Sequence, residues 1–170
     1  MEVKVELENG YLPDRFGKYA PESDRIDGHP NRSFPFALSD IPTETQSLAI
    51  EFIDYDSIPV CGFCWIHWTA CNIDPSVTEF PEDASRLQSV DMIQGRNSEV
   101  SPLAGGYKDP QIVNRYLGPC PPDKDHVYTL KVYALDTMLN LEEGYPLNEL
   151  RKAMAGHILA RATAEIPSRA

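Results

Sequence analysis

FCWIHWTACNI (residues 63–73) holds both tryptophans of the chain, and six of its eleven residues are aromatic or β-branched. Such residues fit a pleated, largely buried surface, and the run is bounded by turn-forming residues, so it reads as a central β-strand. SLAIEFIDYD (47–56) and HVYTLKVYALD (126–136) have the same character and predict two further strands. VKVEL (3–7) alternates apolar and polar side chains, the pattern of a half-buried strand, and another strand is expected near 33–38. Residues 9–36 and 95–122 are rich in Gly, Pro, Asp and Asn and read as long connections, the kind of segment that often carries function. One helix is predicted. It opens at Pro146, and Leu147, Leu150, Met154 and Ile158 form one stripe along it. The expectation is a mainly β domain with a C-terminal α-helix packed against it.

With 170 residues the chain suits a single domain spanning 1–170. A net charge of −11 argues against nucleic acid and anionic membrane surfaces as partners, since both call for Lys/Arg patches. No stretch approaches the ~20 apolar residues of a membrane helix, and MEVKVELENG (1–10) has no signal-peptide layout. A cytoplasmic location without stable membrane insertion is therefore expected, with the four cysteines as thiols.

Three residue pairs share one spacing: Asp54 and Asp56, Trp65 and His67, His126 and Tyr128. Residues two positions apart on a strand point to the same face, so each pair projects to one side. If the three segments are neighbours, carboxylates, imidazoles, a phenol and an indole converge at one end of a sheet. A carboxylate bonded to an imidazole fixes its tautomer and raises its pKa, so the ring can serve an oxyanion. Trp65 would supply an apolar wall for the organic part of the ligand. The plainer reading, that each His–Asp pair is a satisfied core group, stays open at this point.

DYDSIP (54–59), WIHW (65–68), GRNS (95–98), YLGPCPP (116–122), HVY (126–128), ALD (134–136) and GHILA (156–160) stand in one order. In that order they resemble the phosphatidylethanolamine-binding protein family, in particular its bacterial and archaeal Raf kinase inhibitor-like branch. The resemblance implies an antiparallel β-sandwich, with one large and one small sheet, and a small anion-binding cavity. Carried over by position, the ligand-binding residues are Asp54, Asp56, Trp65, His67, Gly118, Pro119, Pro121, His126 and Tyr128. The family's Asp-Pro-Asp-Ala-Pro is replaced by Asp54-Tyr55-Asp56-Ser57-Ile58-Pro59, one residue longer, which tilts Asp56 differently. Val127 replaces the Arg of His-Arg-Tyr, and less chain follows the helix than in many relatives.

The expected partner is a small anionic or phosphorylated ligand. A second reading is a kinase-inhibitor-like regulator whose cavity takes a phosphorylated protein, and a homodimer is also expected on the resemblance. The enzyme alternative is a metal-dependent hydrolase using the Asp/His cluster; otherwise neither cofactor nor metal is expected. Cys61 and Cys64 form a C-x-x-C without the second pair that a zinc site needs. Cys64 is expected to face with Ile66 and Trp68 into the core, behind the pocket wall. His157 is expected as a helix–sheet contact.

Overall fold

The computed structural model describes residues 1–170. Its strands, in chain order, are β1 (Glu2–Val5), β2 (Arg25–Ile26), β3 (His29–Pro30), β4 (Phe36–Ser39) and β5 (Ser47–Asp54). They continue with β6 (Trp65–Ile73), β7 (Glu79–Phe80), β8 (Ile93–Gln94), β9 (His126–Leu135) and β10 (Ile158–Ser168). Four short helices intervene: α1 (Ile58–Cys61), α2 (Ala84–Leu87), α3 (Pro110–Val113) and α4 (Leu147–Met154). All strand pairs are antiparallel. The large sheet has the order β10-β9-β5-β6-β8, a small sheet the order β1-β4-β7, and β2 and β3 form a separate ribbon. This is the expected sandwich of one large and one small sheet. No helix is long and apolar enough to cross a membrane.

β5 lies at the centre of the large sheet, and every one of its eight residues is buried. Leu48, Ile50 and Phe52 face the small sheet, where they meet Phe36, Leu38, Phe80, Leu130 and Val132 in one core cluster. Burial of each such side chain contributes about 1.5–3 kcal/mol. Ala49 and Ile53 face the other way and join Tyr133, Leu135, Leu147, Leu150 and Met154 in a second cluster beneath α4.

The sequence-predicted helix ends earlier than its apolar stripe. α4 stops at Met154, and Gly156 adopts φ +86°, a left-handed conformation that glycine takes without steric cost and that turns a chain out of a helix. Ile158 therefore opens β10, opposite Leu135, and is exposed. The chain closes on an edge strand, not on a C-terminal helix. His157 correspondingly lies outside α4, where its Nδ1 meets Asp136 Oδ1 at 2.8 Å on the surface.

A second departure occurs in β6. Ile53 pairs with Ile66, yet Phe52 pairs with Trp68, so His67 is the extra residue of a β-bulge. A bulge re-aims side chains. Ile66 packs in the cluster under α4 and Trp68 in the cluster between the sheets. Contrary to simple alternation, the two do not share a face. His67 turns inward beside Phe52 and Tyr128.

Candidate functional site

The strand register brings the polar ends together. Asp54, the last residue of β5, stands opposite Trp65 of β6 on one side and Tyr128 of β9 on the other. Around this junction lies a cavity of about 270 Å³, close to the lower bound of ordinary small-ligand sites.

Asp54 is buried and accepts hydrogen bonds from two directions. His126 Nδ1–H donates to its Oδ2 at 2.8 Å, and the Ser57 backbone N–H donates to its Oδ1 at 3.1 Å. Ser57 Oγ donates to Asp54 O at 2.8 Å and accepts from Trp65 N–H at 2.9 Å, which ties the β5–α1 turn to the start of β6. The other ring nitrogen of His126 donates to Asp123 Oδ1 at 2.9 Å. An imidazole that donates from both nitrogens is an imidazolium. Burial pulls the pKa of His126 down, but Asp54 first and then Asp123 carry it above the ordinary histidine value. The trio Asp54–His126–Asp123 therefore bears one net negative charge.

His67 has the opposite character. Its Nδ1–H donates to the Leu117 carbonyl at 2.8 Å, and its ring stands edge-on to Tyr128 with centroids 5.0 Å apart. Burial pushes its pKa down to about 4, with His126 adding to the fall, against smaller upward pulls from Leu117 O and Asp54. At neutral pH the ring is uncharged and Nε2 is an unengaged acceptor. The Tyr128 phenol is pushed far above its usual range, by burial first and then by Asp54, so it stays protonated and can donate.

Trp65, backed by Phe63 at 5.8 Å in a near-parallel stack, forms one wall. The segment Leu117–Pro122 forms another, with Leu117, Gly118, Cys120, Pro121 and Pro122 on the lining. Gly118 N–H donates to Pro30 O at 2.7 Å, and a Cβ at Gly118 would sit 2.5 Å from Phe16 O. Only glycine allows that approach.

Seven of the nine sequence-predicted site residues line the cavity: Asp54, Trp65, His67, Gly118, Pro121, His126 and Tyr128. Asp56 and Pro119 do not. In the longer turn the Asp56 carboxylate swings out and accepts the Val127 N–H at 2.9 Å. Pro119 turns its carbonyl toward Gly17. α1 places Cys61 on the lining, while Cys64 packs beside the second core cluster. Cys71 is buried, and burial pushes its thiol up to about 11. The sequence reading also missed His29, Ser57, Glu99 and Cys120 as lining residues. Ser57 and Cys120 sit inside motifs already singled out, and Glu99 directly follows GRNS. His29 arrives through the β2–β3 ribbon and carries no local signal. No group of three His, Cys, Asp or Glu side chains is placed to hold a metal ion.

A phosphatidylethanolamine-binding protein family model matches residues 3–167. The chain belongs to the phosphatidylethanolamine-binding protein family. Among its family relatives, the uncharacterized protein YxkA of Bacillus subtilis (strain 168) is 53% identical over 169 residues, covering 99% of each chain. A crystal structure of a phosphatidylethanolamine-binding protein homolog from Chlamydia trachomatis superposes with a TM-score of 0.77 at 28% identity, covering 99% of this chain and 97% of that one. The structure of Escherichia coli YbcL gives the same TM-score at 25% identity, covering 99% and 98%. Family membership makes this a ligand-binding fold, and the cavity at the ends of β5, β6 and β9 is where its polar groups converge.

Proposed function

We propose that the chain acts as one ligand-binding domain whose cavity takes a small molecule through a phosphoryl or similar oxyanion group. The observation that supports this most directly is the unengaged Nε2 of His67, a residue that lines the cavity together with Tyr128, whose phenol stays protonated. His126 is a weaker candidate for direct contact, because both of its ring nitrogens are already bonded to carboxylates. Its role is to neutralise Asp54, which would otherwise repel an anion at the same spot.

A neutral His67 cannot donate from Nε2, so an oxyanion must arrive with a proton or acquire one. Either a P–OH group donates to Nε2 or the proton crosses to the ring; the proton count is the same. Phosphate monoesters lose their second proton near pH 6. Above that, binding requires uptake of one proton, and affinity falls about tenfold per pH unit. The low pKa of the empty site, about 4 for His67, keeps the affinity weak at pH 7.

Titration of methyl phosphate followed by NMR tests this. Shifts are expected at His67, Trp65 and Tyr128, with affinity falling about tenfold per unit between pH 6.5 and 8. Affinity that is flat or grows over that range would mean neutral donors hold the dianion, and the reading would be wrong.

A further inference from the structure

β10 forms one edge of the large sheet, and its 11 residues make it the longest edge in the fold. Which of its backbone groups point outward follows from its neighbours. On β9 the Val127 N–H is directed to the β5 side, where Asp56 accepts it, so the even-numbered residues of β9 turn their backbone groups toward β10. Their partners on β10 are Ala162, Ala164 and Ile166. The N–H and C=O groups of Arg161, Thr163 and Glu165 are thereby left pointing away from the sheet. Pro167 agrees with this parity, since its outward carbonyl accepts the Leu12 N–H at 2.8 Å. The open run is short and bounded at both ends. A register shift between Ile158 and Ala160 breaks the strand on one side, and Leu12 closes it at Pro167 on the other. Between these stops lie residues 161–165, with Thr163 at their centre.

We infer that this run is a docking edge for a second copy of the chain, paired antiparallel about a twofold axis through Thr163. Such an axis sets Thr163 against itself, Arg161 opposite the partner's Glu165 and Ala162 opposite the partner's Ala164. Each outward-pointing pair exchanges two backbone hydrogen bonds, so the open groups of all three residues are satisfied at once. The side chains carry the same symmetry. Arg161 and Glu165 are exposed on one face, yet they stand about 13 Å apart along their own strand, beyond each other's reach. Within one protomer Arg161 has no carboxylate partner, and Glu165 takes only the Thr129 hydroxyl, at 3.1 Å. Across the axis they meet twice as directly opposed, oppositely charged pairs. On the other face the opposed side chains are alanines, too small to hold the copies apart. Charges on an edge usually keep other strands away. A single sign would do so in any self-pairing, whereas opposite signs placed evenly about Thr163 favour it. The pairing joins two five-stranded sheets into one continuous antiparallel sheet. Because Ser168 lies opposite His126, each cavity sits about 17 Å along the strand from the axis. The two cavities face opposite ends of the joined sheet, and assembly leaves both open.

Five residues a side are fewer than the roughly 20–30 of a standard interface, so a dissociation constant on the order of 100 µM is expected. Sedimentation velocity from about 10 µM to about 1 mM measures it. Arg161→Glu and Glu165→Arg each set like charges opposite one another twice, and each should weaken the dimer tenfold or more. The double exchange restores opposite signs and should bring the constant back to within threefold of wild type. Wild type supplies a second readout that needs no variant. Followed by NMR, hydrogen exchange at the amides of Arg161, Thr163 and Glu165 should slow several-fold from the dilute to the concentrated sample. The amides of Ala162 and Ala164, already turned to β9, should change less. A wild-type chain that stays monomeric at about 1 mM overturns the inference. So does a dimer that both single exchanges leave intact, one that the double exchange fails to recover, or unchanged exchange at the three amides.

Discussion

Glu51 and Asp54 are buried carboxylates three residues apart on the same strand, and they point to opposite faces of the large sheet. Glu51 looks toward α4, where Arg151 grips it with Nε at 3.0 Å and Nη2 at 2.8 Å. Asp54 looks into the cavity and is held by His126. A guanidinium is charged at every pH a protein survives, and its fork matches a carboxylate. Glu51 is therefore closed, and its pair does one thing, pinning α4 to the sheet. An imidazolium can lose its proton, and the space beyond Asp54 is open to a ligand. Within ten ångströms of backbone the strand carries one carboxylate committed to structure and one left adjustable.

The sharpest way to break this contrast is a stability profile against pH. His67, at the open end, has a folded pKa of about 4 against about 6.5 unfolded. Between those values the unfolded chain binds a proton that the folded one refuses, so stability rises with pH through that window and is lost as pH falls. The linked change is roughly 3 kcal/mol, at about 1.36 kcal/mol per unit. His126 has the opposite sign, since its folded pKa is raised. Its contribution is fully present below about pH 6.5 and is lost as pH rises through its folded value. Urea unfolding from pH 4 to 9 is expected to show both limbs, with His67→Gln flattening the acid one. An acid limb that persists unchanged in His67→Gln would assign it elsewhere.

At the closed end, Arg151→Met should cost about 2–3 kcal/mol, below the range for breaking a fully buried pair because the Arg151 side chain is half exposed. Replacing both partners by apolar residues should recover most of the loss. If the single substitution costs under 1 kcal/mol at pH 7, the pair is not the anchor described.

The smallest effect is expected at Asp56, which the turn directs away from the cavity. Asp56→Ala removes the acceptor of the exposed Val127 N–H and should cost about 1 kcal/mol of stability. Methyl phosphate affinity should change less than twofold. A tenfold loss of affinity in that variant would return Asp56 to the site.

These contrasts mark where the sequence was readable. β5, β6 and β9 are long aromatic and β-branched runs between turns, and period-two spacing put Trp65 with His67 and His126 with Tyr128 on one face each, while the strand order that joins them to Asp54 is not written in the spacing. β10 hid because its inward residues, Ala160, Ala162 and Ala164, are too small to print an alternation. The stripe through Met154 also continued to Ile158 as if Gly156 were not there. The bulge at His67 leaves no mark in composition, so the shared face assigned to Ile66 and Trp68 was wrong. His29 and Glu99 sit on segments whose course is set by tertiary contacts such as Tyr107 against His29, at 4.7 Å, which no local pattern encodes.

Strand order also has a consequence in time. β10 caps the outer edge of β9, yet residues 136–157 lie between them in the chain. At about 5–20 residues per second of synthesis, β9 waits a second or more after it is made before its partner exists. During that interval its free backbone donors and acceptors form an open template for any other extended chain. The nascent protein thus passes through a stage in which the elements of its binding cavity have been made but its sheet is unfinished. Pauses in translation between β9 and β10 would lengthen that stage.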